Sequence, residues 1–183
     1  MESLAKAIQA LHETYSIPHI VITSVNLSAP DHPDSHLSVV GSTMTSSGKA
    51  RLFKIVFPAI DCYFSGTGDM FAALMVIRMR EAVASVPGLG ETASWRSGDD
   101  VATLDLPLAR AAEKVLASMH ELLSRTSQGM TAVVERTRKG MTEDEKKDEK
   151  KLQLVRSKAS ELQLVRNLDC LRAPVVEFRA REM

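Results

Sequence analysis

The spacing of apolar residues at the start of the chain predicts a helix followed by a strand. Leu4, Ala7, Ile8 and Leu11 recur at helical spacing, which is typical of a helix with one apolar face. The run His19–Thr23 is rich in β-branched residues and bounded by polar ones, as in a buried strand.

An antiparallel hairpin is the next element that the pattern predicts. The segments Leu37–Val40 and Leu52–Val56 are mainly apolar and flank the polar stretch Gly41–Lys49, which contains glycine. Prolines and aspartates predict a loop before the hairpin, from Ser28 to Ser35.

The rest of the chain is predicted to be mainly helical. Met70–Ile77 is apolar nearly all round, which favours a central helix. A second, longer helix that extends past Val134 is predicted by an apolar stripe at helical spacing: Leu108, Ala112, Val115, Met119 and Leu122. The charged residues 139–151 indicate a linker or a solvated helix, and Leu162–Val165 and Val175–Phe178 are predicted as short strands.

Composition narrows the class of protein. The 183 residues are 44% hydrophobic, enough for one core, so a single domain is expected. Lys plus Arg and Asp plus Glu both number 23, and this balance argues against general affinity for nucleic acid or anionic membranes. Two distant cysteines, Cys62 and Cys170, predict a reducing cytoplasm, and the absence of a long apolar run predicts a soluble protein.

The tetrapeptide Gly66–Asp69 contains the candidate phosphate-binding and catalytic residues. A Gly-Thr-Gly turn that enters a helix presents unpaired backbone N–H groups at the positive end of the helix dipole, which together can hold phosphate oxygens. Glycine at 66 and 68 permits unusual backbone angles and close approach of a ligand, and the Thr67 hydroxyl adds a donor.

Asp69 is the candidate general base. A carboxylate at this place can accept a proton from a substrate hydroxyl while its surroundings neutralise charge on a transferring phosphoryl group. The alternative is an ordinary N-capping aspartate after a glycine turn, which an isolated tetrapeptide does not exclude.

The residues around this turn resemble pyridoxal kinases over most of the chain. The similar segments are Ile20–Ser24, the hairpin, Phe57–Ser65, Gly66–Leu74 and Glu161–Arg166, the last of which looks like that family's closing strand. The related hydroxymethylpyrimidine kinases usually have cysteine where this chain has Asp69, and sugar kinases of the superfamily usually have alanine where it has Thr67.

The resemblance implies a ribokinase-like α/β fold, with a central, mostly parallel sheet flanked by helices. It implies transfer of the γ-phosphate of ATP to the 5′-hydroxyl of pyridoxal, pyridoxine or pyridoxamine, with Mg²⁺ as a cofactor and K⁺ or Na⁺ as a further cation. The full-length family is expected to be cytoplasmic and homodimeric.

The resemblance also assigns roles to individual positions. Asp69 matches the general base, and Gly66, Thr67 and Gly68 match the anion hole. Thr23 and Ser24 match strand-end residues that touch ATP phosphates and, at Thr23, a monovalent cation. Ile60, Asp61 and Cys62 fall where the family's nucleotide contacts lie.

The chain departs from the family in its extent. No residue matches the segments that hold the pyridoxal ring, so residues 1–183 are expected to be the C-terminal nucleotide-binding and catalytic portion of a kinase domain. A chain without the N-terminal half should have an unpaired strand edge and an uncovered apolar face. Two alternatives stay open: a noncatalytic fragment with a residual ATP site, and a related kinase acting on hydroxymethylpyrimidine.

Overall fold

The computed structural model describes residues 2–26, 33–142 and 148–183. Their helices and strands, in chain order, are α1 (Glu2–Tyr15), β1 (His19–Val25), β2 (His36–Met44), β3 (Ala50–Pro58), α2 (Thr67–Ala84), α3 (Pro107–Lys139), α4 (Glu149–Ala159), α5 (Leu168–Arg172) and β4 (Arg181–Glu182). Short 3₁₀ turns occur at Leu89–Glu91, Ala93–Trp95, Thr103–Asp105 and Leu164–Asn167. No helix in these described ranges has the length and apolar content needed to cross a membrane.

The sheet of the described residues is antiparallel throughout, which corrects the expected mostly parallel sheet. Its strand order is β1-β2-β3-β4, and each neighbouring pair is antiparallel. The turn between β2 and β3 is short and closed by a hydrogen bond from Thr45 N–H to Lys49 O at 2.8 Å. So short a connection permits only antiparallel neighbours, because parallel strands need a crossover of a dozen or more residues.

The chain divides into two compact units. The first contains Met1–Ala59, Ala72–Leu116 and Val176–Met183, and the second contains Ile60–Phe71 and Ala117–Val175. Helices α2 and α3 each contribute residues to both units. The single domain expected from the composition stays a prediction.

The core of the first unit covers both faces of the hairpin. On one face, Ile8 of α1 and Val40 of β2 are fully buried, with Ile20 and Ile22 of β1 packed against them. Side chains alternate across a strand. Val39, Phe53 and Ile55 accordingly lie on the opposite face, and they are also buried.

A buried carboxylate positions the end of the chain in this unit. Glu113, which is 4% exposed, accepts hydrogen bonds from the Ala180 N–H at 2.9 Å and from Arg179 Nη1 at 3.1 Å. A buried charge is tolerated when it is paired and hydrogen-bonded. These bonds hold the residues that precede β4, which pairs with β3 at Phe53 and Lys54.

His19 joins the sheet to a distant loop of the same unit. Its Nε2–H donates to Ser94 O at 2.8 Å, because a carbonyl can only accept, so Nδ1 accepts from the Thr43 hydroxyl at 2.9 Å. The bond that Nδ1 accepts requires the neutral ring, whereas Nε2–H can donate to Ser94 O in both the neutral and the protonated ring. Burial, opposed by the bond to Ser94, lowers the pKa of His19 from its ordinary value.

Stability should therefore fall as the pH decreases through the ordinary histidine range. The unfolded chain binds a proton at His19 at a higher pH than the folded chain does, so the free energy of unfolding declines from about pH 6.5 down to the lowered pKa. Urea denaturation across this range measures the slope. The slope should shrink in His19→Gln, and an identical slope in His19→Gln would contradict the assignment.

The second unit is organised around the C-terminal two thirds of α3. Met119 and Leu122 are buried, and the Ser118 hydroxyl donates to Cys170 O at 2.8 Å. Arg125 pairs with Asp169 at 2.9 Å and with Glu121 at 2.6 Å, and these partners raise its pKa. These contacts attach α5 to α3.

Most of the predicted elements are confirmed. The structure contains the first helix, the strand at His19, both hairpin strands, the helix after Gly68 and the long helix with its buried stripe, which continues to Lys139. The predicted loop at Ser28–Ser35 lies largely outside the described residues. Of the charged segment 139–151, residues 143–147 lie outside them, and Asp148 caps α4 by accepting from the N–H groups of Lys150 and Lys151.

The two C-terminal strand predictions are wrong. Leu162 and Gln163 are irregular and lead into the 3₁₀ turn Leu164–Asn167, where the Asn167 side-chain amide donates to Gln163 O at 2.8 Å and Val165 is 83% exposed. The closing strand expected over Glu161–Arg166 is therefore absent. Val175–Phe178 is not part of a strand, and the C-terminal strand that pairs with β3 is Arg181–Glu182. An alternating pattern makes a strand only where an edge is available for pairing.

The prediction that the helix after Gly68 is central is also wrong for the described chain. Leu74 and Met79 of α2 are buried, but Val76 and Ile77 are 63% and 54% exposed. The apolar residues all round the helix do form two apolar faces, one with the buried Leu74 and Met79 and one with Val76 and Ile77. Within the described residues that face remains exposed, as does the outer edge of β1.

Candidate functional site

The glycine turn and the start of α2 form the centre of the candidate site. Gly66 has a φ of +79°, a left-handed angle that favours glycine. Its carbonyl accepts from the Met70 N–H at 3.1 Å, and the helix begins at Thr67. Gly66 is therefore the N-cap residue, and Thr67, Gly68 and Asp69 are the first three helical positions.

The first turn of α2 has free backbone donors. The N–H groups of the first three helical positions have no acceptor within a helix, and the structure pairs those of Thr67, Gly68 and Asp69 with no other described residue. An N-cap serine or aspartate would satisfy one of them with its side chain, and glycine cannot. The turn thus leaves donors available to an anion at the positive end of the helix dipole.

Gly68 has no packing role in the described structure. A Cβ built at this residue meets no other atom within 4 Å, and its φ lies outside the left-handed region. Glycine inside a helix costs about 1 kcal/mol relative to alanine. Neither the backbone angle nor the packing requires glycine at residue 68. Its presence is consistent with a ligand that approaches the backbone there.

The carboxylate of Asp69 is exposed and lies in the first turn of α2. Because Gly66 occupies the N-cap position, Asp69 is not the N-cap residue, which removes the simplest alternative role for it. Within the described ranges its carboxylate accepts no hydrogen bond. It is therefore free to approach a substrate hydroxyl, and its role as a base stays a prediction.

The segment before the glycine turn contains a short hydrogen-bonded turn with an exposed central residue. The Cys62 N–H donates to Ile60 O at 2.8 Å, which closes a three-residue turn with the exposed Asp61 at its centre. The Cys62 thiol lies 3.7 Å from Met130 Sδ. Burial, and then the negative charge of Asp61, raise the pKa of Cys62, so the thiol is not an activated nucleophile.

Thr23 and Ser24 lie in a β-bulge at the end of β1. Ile22 pairs with Val40 and Val25 pairs with Ser38, so two residues of β1 face one residue of β2. Both side chains are exposed, and Ser24 has a φ of +56°. A left-handed non-glycine residue costs roughly 1–2 kcal/mol, and such strain is concentrated at functional sites.

The predicted site residues thus fall into two groups. Ile60, Asp61 and Cys62 lie in the second unit together with Gly66–Asp69, and Thr23 and Ser24 lie in the first unit. The bulge had no signal in the sequence, because Thr23 and Ser24 look like ordinary strand residues. The contact between Cys62 and Met130 joins residues 68 positions apart, which no local pattern indicates.

Comparison with known proteins shows what this chain is similar to. A scan against protein-family models finds no match. Among curated proteins, one from Schizosaccharomyces pombe, named "putative pyridoxal kinase", is 26% identical over 133 residues, which cover 73% of this chain and 38% of the relative. A Saccharomyces cerevisiae protein with the same kind of name is 36% identical over 84 residues, 46% of this chain and 25% of the relative.

Solved structures of similar fold include pyridoxal kinases. Pyridoxal kinase from Leishmania donovani in complex with ADP has a TM-score of 0.61 at 20% identity, over 100% of this chain and 45% of that chain. Plasmodium falciparum PdxK with the ligands AMP-PNP and PL has a TM-score of 0.58 at 16% identity, over 100% of this chain and 43% of that chain. The fold is therefore that of pyridoxal kinases, and the resemblance to this family is confirmed.

The chain spans less than half of each of these proteins. It covers 25–38% of the curated relatives and 43–45% of the solved structures named above. A structure described as a phosphomethylpyrimidine kinase of Bacteroides thetaiotaomicron is also similar, with a TM-score of 0.54 at 16% identity over 44% of its chain. The shared fold therefore does not select one acceptor.

Proposed function

We propose that this chain carries the phosphate-binding and catalytic part of a pyridoxal kinase, which transfers the γ-phosphate of ATP to the 5′-hydroxyl of a B6 vitamer. The observation that carries the proposal is the start of α2. There a left-handed Gly66 and an unsubstituted Gly68 leave three backbone N–H groups free beside an exposed Asp69. The similarity to pyridoxal kinases supports the same function.

The proposed chemistry uses the backbone and one carboxylate. The N–H groups of Thr67, Gly68 and Asp69 hold oxygens of the transferring phosphoryl group, where fixed donors stabilise developing negative charge. Asp69 accepts the proton of the substrate hydroxyl as its oxygen attacks the γ-phosphorus and ADP leaves. A shortage of positive side chains here is no obstacle, since the helix start supplies the donors.

The proposal includes Mg²⁺ and a monovalent cation. The described residues contain no cluster of three or more His, Cys, Asp or Glu side chains able to hold an ion. Mg²⁺ is usually bound through one or two carboxylates and the phosphates of its nucleotide. We propose that ATP enters with its own Mg²⁺, which neutralises phosphate charge, and that K⁺ or Na⁺ binds near Thr23.

The remaining predicted residues have supporting roles in the proposal. Ile60, Asp61 and Cys62 contact the nucleotide from the turn before Gly66. Thr23 and Ser24 contact ATP phosphates from the bulge, whose exposed hydroxyls are suitable donors. The whole protein is proposed to act in the cytoplasm and, when full-length, as a homodimer.

A second acceptor deserves a direct comparison because of the similarity to a phosphomethylpyrimidine kinase structure. Phosphorylation of pyridoxal, pyridoxine, pyridoxamine and hydroxymethylpyrimidine by the purified chain separates the candidates. The proposal predicts product from the B6 vitamers and little from hydroxymethylpyrimidine. Preference for hydroxymethylpyrimidine would replace it, and ATP binding without any product would favour the noncatalytic fragment.

Gly68→Ala separates a binding role from a structural one. Its methyl group meets no atom of the described chain, so the substitution should stabilise the fold by up to about 1 kcal/mol through helix propensity. The same methyl group should obstruct phosphate and weaken MgATP binding by about tenfold or more. Urea denaturation and calorimetric titration measure the two effects.

Gly90→Ala is the matched control, because a Cβ there also meets nothing within 4 Å. This variant should bind MgATP as the parent chain does. Unchanged MgATP affinity in Gly68→Ala would remove Gly68 from the phosphate site.

A further inference from the structure

The pentapeptide Leu-Gln-Leu-Val-Arg occurs twice in the second unit, with its copies ten residues apart. The first copy is Leu152–Arg156, and the second copy is Leu162–Arg166. The first copy lies within helix α4, whereas the second copy is irregular at its start and continues into the 3₁₀ turn Leu164–Asn167. One sequence therefore has two conformations in this chain, so residues outside the pentapeptide decide which conformation each copy adopts.

Two contacts attach the second copy to α3 through features that are easily duplicated. The Gln163 side chain packs against Gly129, where a Cβ would lie 3.1 Å from Gln163 Nε2. The Ser118 hydroxyl donates to the backbone carbonyl of Cys170 at 2.8 Å. The first contact needs a glutamine beside a glycine, and the second needs only a backbone oxygen next to a small side chain.

The first copy supplies the same features ten residues earlier. Gln153 corresponds to Gln163, and Ser160 corresponds to Cys170. Ser160 and Cys170 differ by one atom, oxygen for sulfur, and they are 7% and 6% exposed. The first copy is therefore able to make both of these contacts with α3.

Arg125 of α3 contacts two of the residues that follow the second copy. Its Nη1 donates to Asn167 Oδ1 at 3.4 Å and to both carboxylate oxygens of Asp169 at 2.9 Å. The corresponding residues after the first copy are Ser157 and Ala159. Because alanine has no side-chain acceptor, Arg125 has no ion pair to offer the first copy.

We propose that the two copies compete for one place on α3, so that the second unit exchanges between two registers that differ by ten residues. In the second-copy register, which the structure shows, Gln163 packs against Gly129. In the first-copy register Gln153 takes that place, and α4 unwinds. The ion pair of Arg125 with Asp169 favours the second-copy register, so the first-copy register is the minor population.

The exchange is sterically feasible and disrupts little packing. Within the described chain, α4 buries none of its 11 residues, so unwinding it exposes little further apolar surface. The chain from 140 to 151 connects α3 to the first copy and can span up to roughly 40 Å. Gly129 lies roughly 15 Å before the end of α3 along the helix axis. The first copy can therefore reach Gly129.

Thiol crosslinking at residue 129 measures the two registers in one sample. The two free cysteines, Cys62 and Cys170, are first replaced by serine. Gly129→Cys, Gln153→Cys and Gln163→Cys are then combined in one chain, which is treated with a short thiol-specific crosslinker and digested. Peptide masses give the ratio of the 129–153 crosslink to the 129–163 crosslink. The 129–163 crosslink should dominate, with the 129–153 crosslink as a minor product.

Asp169→Ala in this background should raise that ratio about fivefold, because it removes the ion pair that only the second copy makes. Asp105→Ala is the matched control. Asp105 pairs with Arg110 at 2.7 Å, and its side chain is 64% exposed, against 65% for Asp169. Loss of this ion pair should leave the ratio unchanged.

Transferring the two partners of Arg125 to the first copy tests the same competition with the second copy intact. Ser157→Asn combined with Ala159→Asp should raise the crosslink ratio about fivefold, and Arg125→Gln should abolish that increase. A ratio that responds neither to Asp169→Ala nor to the transferred pair would overturn the exchange. An increase that persists in Arg125→Gln would overturn the selection of the register by Arg125.

Discussion

Replacing Asp69 by asparagine is expected to lower phosphorylation of pyridoxal by about 10²–10⁴-fold while MgATP binding persists. Asparagine preserves the size of the side chain and cannot accept the proton of the substrate hydroxyl. The N–H groups of Thr67 and Gly68 that are proposed to hold phosphate remain in place. Steady-state rates of product formation and calorimetric titration with MgATP measure the two quantities separately.

The control for this variant is Asp34→Asn, which removes an exposed carboxylate from the turn before β2. Its rate and affinity should equal those of the parent chain. A rate for Asp69→Asn within a factor of about two of the parent rate would mean that another group takes the proton.

Phe53→Ala is expected to destabilise the fold by about 3–5 kcal/mol, the range measured for removal of a fully buried aromatic ring. Phe53 is completely buried, and its ring covers Gly41 on the neighbouring strand so closely that a Cβ at Gly41 would overlap it. Because Gly41 has no side chain, it cannot fill the cavity that the substitution leaves. Urea denaturation gives the change in the free energy of unfolding.

Phe57→Ala is the comparison for this prediction. Phe57 is only partly buried, with its ring centroid 6.3 Å from that of Phe178. Its loss should cost less than the loss of Phe53, because part of the ring is already in water. If the two substitutions had equal effects, the core of the first unit would not be centred on Phe53.

The sequence is most informative where local rules determine the structure. The period of Leu108, Val115 and Leu122 placed α3 and its buried face correctly, and the run at Leu52 placed β3 within two residues of its observed start. Gly66 was recognisable as a turn residue because its left-handed angle excludes most other residues. These features depend on neighbours close in sequence.

The predictions that failed concern features of the structure that depend on residues distant in sequence. Leu162–Val165 alternates like a strand, but a strand needs an edge, and the Asn167 amide instead closes a turn on Gln163. The direction of the sheet also depends on how the strands are connected, so the family pattern of parallel strands did not transfer to the described hairpin. The bulge at Ser24 is a property of the pairing of β1 with β2, which composition does not show.

ATP-dependent formation of pyridoxal 5′-phosphate by the purified, folded chain is the most direct test of the central claim. The reaction contains Mg²⁺ and K⁺, and Asp69→Asn is run beside the parent chain. Product from the parent chain, lost in Asp69→Asn, is the result that we predict. A chain that unfolds cooperatively in urea, and is therefore folded, yet forms no product would contradict the claim that it carries the catalytic part of a pyridoxal kinase and would favour the noncatalytic fragment.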